Sequence, residues 1–113
     1  MNRSWRIVVV DVEASGSLRI FNNVVPYHSL LEIGAVEVIL SESRVGATFY
    51  AVLRPLSERY DPKAIIRTSG RNIKYYIQNG KDPKEAIKKF YDFLLNIKNK
   101  TGRRVLLASD NPE

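Results

Sequence analysis

The chain has no cysteine and a single histidine, His28, in 113 residues. Without thiols it can build no disulfide framework, no cysteine-ligated zinc site and no thiol nucleophile. One imidazole rules out a multi-histidine metal centre. Also missing is any apolar run near the ~20 residues that a membrane-spanning helix needs. Met1 to Arg6 leads into only a short apolar stretch that soon meets Asp11, against the pattern of a secretory signal. These absences set the expectation of a cytoplasmic protein with no membrane partner.

Acidic residues are scarce in one part of the chain only. Residues 63–104 hold twelve Lys/Arg against three acids, Asp82, Glu85 and Asp92, while residues 1–62 are close to neutral. The overall charge is +6. A basic half beside a carboxylate-bearing half suits a polyanion such as nucleic acid. A Lys-rich solvated surface would look the same, so the charge alone names only a class of partner. With 44% hydrophobic and 27% charged residues, the composition is that of a globular chain. Its length suits one domain, residues 1–113.

Arg6–Val12 reads as a strand, because Ile7-Val8-Val9-Val10 is β-branched throughout and a run apolar on both sides suits a central strand. Leu30–Leu40 and Gly46–Leu53 are two more, joined by a link short enough for an antiparallel hairpin. Asp82-Pro83-Lys84-Glu85 is a helix start, with Asp as N-cap, Pro at the first position and Glu closing a capping box. Ile87, Phe90, Leu94 and Ile97 form its apolar stripe, and Gly102 stops it. Short helices are predicted near 62–68 and 71–78. Arg104–Ala108 follows as a strand parallel to the first. The layout is β-β-β-α-β, an α/β fold on a mixed sheet.

Asp11 and Glu13 stand two apart on the first strand, so both carboxylates project from one face about 6–7 Å apart. Like charges this close repel, and a divalent cation relieves them. Oxygen-only sites of this kind suit Mg²⁺ or Mn²⁺, and a pair of such ions can cleave a phosphodiester. The plainer reading caps the strand end with Asp11 and leaves Glu13 in solvent. Ala14, Ser15 and Gly16 follow, small enough to let backbone donors approach a nucleotide, with Leu18 or Ile20 offering apolar contact to a base. A plain turn accounts for Gly16 equally well.

Asp11-Val12-Glu13-Ala14-Ser15-Gly16, then Leu31-Glu32-Ile33-Gly34-Ala35-Val36, then the strand from Phe49 to Pro55, resemble the first half of the DEDD-type (DEDDh-like) 3′–5′ exonucleases. The resemblance covers nearly the whole chain and implies a three-layer ribonuclease H-like fold. It further implies hydrolysis at the 3′ end of single-stranded DNA or RNA by two Mg²⁺ or Mn²⁺ ions. Carried over by position, Asp11 and Glu13 are the catalytic metal ligands, and Ala14, Ser15, Gly16 and Leu18 meet the terminal nucleotide. Glu32 matches a recurrent family residue. The family's later Asp and its His-containing third motif have no counterpart: Ser109-Asp110-Asn111 only approaches the former, and His28 lies in the wrong region for the latter. The expectation is therefore an incomplete domain, inactive by itself, whose exposed strand edge near Val105–Ala108 invites self-association. A non-catalytic nucleic-acid-binding module is the alternative. A sugar-kinase-type phosphotransferase of related fold is disfavoured by Glu13, where those proteins carry Gly.

Overall fold

The computed structural model describes residues 5–16, 29–56, 60 and 71–109. Strand β1 (Trp5–Ala14) is the axis of the sheet. It pairs antiparallel with β2 (Leu30–Ile39), which pairs antiparallel with β3 (Arg44–Val52). Helices α1 (Ile73–Asn79) and α2 (Pro83–Thr101) follow. The strand β4 (Arg104–Ala108) then returns parallel to β1, and the order is β3-β2-β1-β4. The mixed sheet, the hairpin and the parallel return all match the sequence pattern. The helix expected near 62–68, together with Leu18, His28 and Asp110, lies outside the described residues.

Register decides what each face carries. Val10, Ala35 and Phe49 form one row across three strands, and Val12, Ile33 and Ala51 another. Both rows point at α2, where Phe49 meets Phe90 at 5.4 Å and Phe93 at 5.5 Å between ring centroids. Val8, Leu31 and Leu53 are completely or almost completely buried. Each such side chain contributes about 1.5–3 kcal/mol relative to exposure. The alternate rows face the other way, where α1 reaches only one end of the sheet and Val9 stays 41% exposed.

Two details of α2 differ from expectation. Ile87 is exposed, and the helix instead turns Ala86, Phe90, Phe93, Leu94 and Ile97 inward, at spacings that follow the helical period as well. The small Ala86 packs beside Ile33, Ala51 and Leu53, a place where a larger side chain would push the helix away. Nor does the capping box form. Asp82 makes no side-chain cap, and its carboxylate lies 3.9 Å from Arg54. Gly102 ends the helix as expected, at φ 69°.

The sheet edge at β4 exposes Leu106 and Leu107. It is the edge expected to carry self-association, and pairing with a second copy has no support from the structure. No helix among the described residues is long and apolar enough to cross a membrane.

Gly80 is where α1 ends against the sheet. Its N–H donates to the Tyr76 carbonyl, while the Arg54 N–H donates to the Lys81 carbonyl and the Lys81 N–H to that of Val52. A Cβ at Gly80 would sit inside contact distance of the Arg54 nitrogen, the Leu53 carbonyl carbon and the Tyr76 oxygen, all backbone atoms. Gly80→Ala should therefore cost ~3 kcal/mol, read as a fall in the denaturation midpoint in urea at unchanged slope.

Candidate active site

Four acids stand on the strands, and the protein treats them in two ways. Glu37 points into the covered face, where Arg6 approaches it at 3.2 Å without hydrogen-bond alignment and the Ala47 N–H donates to it at 3.0 Å. Glu32 is 7% exposed on the opposite face. Its Oε1 accepts from the Tyr50 hydroxyl, its Oε2 from the Tyr76 hydroxyl, and Arg71 Nη1 lies 3.7 Å from Oε1. Asp11 and Glu13 are different: among the described residues neither has a hydrogen-bond donor or a cation as partner.

Asp11 and Glu13 share the face with Glu32, as alternation along β1 requires. Glu13 is the direct cross-strand partner of Glu32, and Asp11 is the partner of Gly34. Partial burial raises the Glu13 carboxyl above its ordinary 4.5, and the charges of Asp11 and Glu32 raise it further. The site is thus an unneutralised acid pair on an open sheet face, backed by a third carboxylate whose two oxygens are already taken by donors. No group of three or more His, Cys, Asp or Glu among the described residues converges as a ready metal site. Two free carboxylates nevertheless fit Mg²⁺ or Mn²⁺, which keep several waters and need only one or two protein ligands beside phosphate oxygens.

Beyond Glu13 the ladder slips, with Ala14 pairing to Leu30. Ser15 then turns fully inward. Its N–H donates to the Ser29 carbonyl and its hydroxyl accepts from the Ser29 N–H, both at 2.8 Å; the Ser29 hydroxyl accepts in turn from the Leu56 N–H at 2.9 Å. Ser15, expected to meet a nucleotide, instead ties the end of β1 to β2 and to the chain after β3. Ala14 and Gly16 are partly exposed.

Tyr50, Arg71 and Tyr76 are the members of this face that sequence reasoning did not assign to it. Parity along β3 would have found Tyr50, since Phe49 faces the core and its neighbour must face away. Tyr76 is completely buried and spends its hydroxyl on Glu32. The Tyr50 phenol is pushed above its usual 10.0, chiefly by burial and also by its bond to Glu32, and so stays a donor.

With this geometry in view, the comparisons with known proteins agree on the architecture. The nuclease domain of 3′hExo, a DEDDh family member bound to rAMP, matches with a TM-score of 0.71 at 19% identity, over 94% of this chain and 52% of that one. A 3′-exonuclease that recognises the 3′ end of histone mRNA stem-loop matches at 0.72 and 18%, over 95% and 36%. Exonuclease I of E. coli in complex with an oligonucleotide matches at 0.58 and 16%, over 94% and 20%. The chain thus has the ribonuclease H-like fold of the DEDD-type exonucleases and spans about half, or less, of the length of these structures. No family model matches the sequence, and no curated protein matches it.

Two measurements follow from the acids. Glu32→Ala strands the buried Tyr76 hydroxyl and the Tyr50–Arg71 pair, and should cost on the order of 2–4 kcal/mol by chemical denaturation; Tyr76→Phe, which removes one donor, should cost roughly half as much. For Glu13 the folded state holds its proton more tightly than the unfolded chain does. Its contribution therefore favours folding at low pH and declines as pH climbs from 4.5 through the raised value. Glu13→Gln should be more stable than the parent near pH 7, and the two should converge by about pH 4 in thermal melts.

Proposed function

We propose that this chain carries the first metal-binding motif of a 3′–5′ exonuclease acting on single-stranded DNA or RNA, with residues 1–113 forming part of one such domain. The observation that carries the reading is the pair Asp11 and Glu13, two strand acids without a partner among the described residues, at the end of β1 in a ribonuclease H-like fold. Fold likeness alone does not transmit an activity, so the weight rests on those residues.

In this reading Asp11 and Glu13 hold divalent cations, Mg²⁺ or Mn²⁺. When bound, such ions supply activation of a water and stabilisation of the leaving oxygen in phosphodiester hydrolysis. The chain's own residues do the rest of what is assigned here. Asp11, exposed and facing Gly34, offers its oxygens toward open solvent. Glu13 sits deeper, held among like charges that favour exchange of its proton for a cation. Ala14 and Gly16 border the place of a terminal nucleotide, and Leu18 is proposed as an apolar contact to its base. Of the basic stretch 63–104, Arg71 stands on the same face as the acid pair, where it can draw a phosphate backbone. A cytoplasmic setting fits the same reading. The remaining metal ligands and the general base have no assigned residues in this chain.

The test is a 5′-labelled oligonucleotide incubated with Mg²⁺ or Mn²⁺. Shortening from the 3′ end that disappears in Asp11→Ala and on chelation is the expected result for the complete domain. Calorimetry should show weak Mn²⁺ binding to this chain that Asp11→Ala abolishes. An oligonucleotide bound but never shortened by the complete domain would instead favour the non-catalytic binding module.

A further inference from the structure

The row next to the Glu13–Glu32 pair runs Asp11, Gly34, Tyr50 across three strands on the open face. Adjacent strands lie about 4.8 Å apart, so the Asp11 and Tyr50 backbones are separated by about 10 Å with no side chain between them. Among the described residues, nothing crowds the position above Gly34. A Cβ built on Gly34 would meet only the Asp11 carbonyl oxygen, at 3.8 Å, an ordinary contact. Neither steric need nor a positive φ explains the glycine.

The far wall is aromatic and cationic. Tyr50 is 58% exposed, yet its hydroxyl is held at two points, donating to Glu32 and accepting from Arg71 Nη1 at 2.9 Å. Its ring is therefore anchored at the polar tip while much of its surface stays open. The Arg71 guanidinium lies 4.4 Å from the centroid of the Tyr75 ring, adding a second flat group beside it. An exposed aromatic face held in place at its polar tip is a surface on which a nucleic-acid base can stack. An acidic peptide would be repelled by Asp11 and Glu13, and a purely apolar partner would face charge on both walls. A base on a phosphodiester chain fits both features, its plane on the ring and its backbone in reach of Arg71.

Building on the proposed exonuclease reading, we propose that the space over Gly34 receives a nucleotide of the bound single strand, with its base stacked on Tyr50. Glu32 is then a positioning residue: with both oxygens occupied, it holds the Tyr50 ring and coordinates no metal.

The experiment measures binding without hydrolysis, in EDTA, of a short oligothymidylate ending in 2-aminopurine at its 3′ terminus, whose fluorescence falls on stacking. Three variants of the full chain are compared. Gly34→Val fills the gap with a residue suited to strands and should keep the parent circular dichroism and melting temperature while weakening binding at least about tenfold. Tyr50→Leu should weaken it about tenfold and abolish the quench, and Tyr50→Phe, which keeps the ring, should retain most of both. Parent-like binding and quench in Gly34→Val and Tyr50→Leu would overturn the proposal. So would failure of the parent chain to bind, or a loss in Tyr50→Phe as large as in Tyr50→Leu, which would trace the effect to the Glu32 bonds and not to the ring. Stacking without shortening by the complete domain would sink the exonuclease reading and leave the site standing. Shortening with unaffected variants would do the reverse.

Discussion

Placing a carboxylate on a sheet face away from water costs several kcal/mol unless donors surround it. Glu32 meets that condition with two phenolic hydroxyls and a guanidinium drawn from three separate elements: Tyr50 on β3, Tyr76 on α1, and Arg71 just ahead of α1. The consequence reaches beyond one side chain. Because α1 is only seven residues long, its helical propensity alone could not keep it formed. It is fixed by Tyr76 at Glu32, by the Asn72 side chain accepting from the Tyr75 N–H at 3.0 Å, and by the close backbone approach at Gly80. The open face of the sheet thus keeps its shape through polar bonds at one end, while the covered face is organised by the Phe49, Phe90 and Phe93 cluster.

That division accounts for where charge is tolerated. On the covered face Glu37 is held between Arg6 and the Ala47 N–H, and Gly46 leaves the room that it needs. On the open face Glu32 is compensated, while Asp11 and Glu13, two residues apart, have no partner among the described residues. Proteins optimised for stability alone do not keep such a pair, and the destabilisation it brings is typical of sites arranged for a ligand. The stacked apolar rows on the other side of β1 offset it.

Much of this was legible in the sequence, for physical reasons that differ from element to element. β1 was readable as a central strand because four β-branched residues in a row favour one; the pattern suits cover on both faces, whereas the structure leaves Val9 half open. Alternation then put Asp11 and Glu13 together without further information. α2 was readable from its period, from Gly102 and from its start, which falls at Asp82 and Pro83 as expected. Only the capping bond is missing, because the Asp82 carboxylate lies toward Arg54, a residue about thirty positions away whose approach no local pattern reports. The structural part played by Ser15 was hidden for the same kind of reason. A serine after the motif resembles a ligand contact until Ser29 comes across from the neighbouring strand and takes both its N–H and its hydroxyl. The Glu32 cluster gathers residues 32, 50, 71 and 76, so its existence depends on register and helix placement together, and neither periodicity nor composition encodes that.

The charge distribution sets these pieces in an order. At physiological ionic strength fields fade over about 8 Å. For the open face the basic stretch therefore acts through the cations that stand on that side, Arg71 among them, and not through the lysines of α2 on the far side of the sheet. A single strand approaching that surface gains from phosphate neutralisation before any of its atoms meets β1. Close to β1 the sign reverses, since Asp11 and Glu13 repel a phosphate as strongly as they repel each other. On the proposed reading the strand can be held by its backbone and by a base on Tyr50 while the acid pair still excludes it, and only a divalent cation between carboxylate and phosphate removes that last barrier. Separating attraction from access in this way lets one small sheet face bind broadly and remain selective about where a phosphodiester comes within reach of its acids.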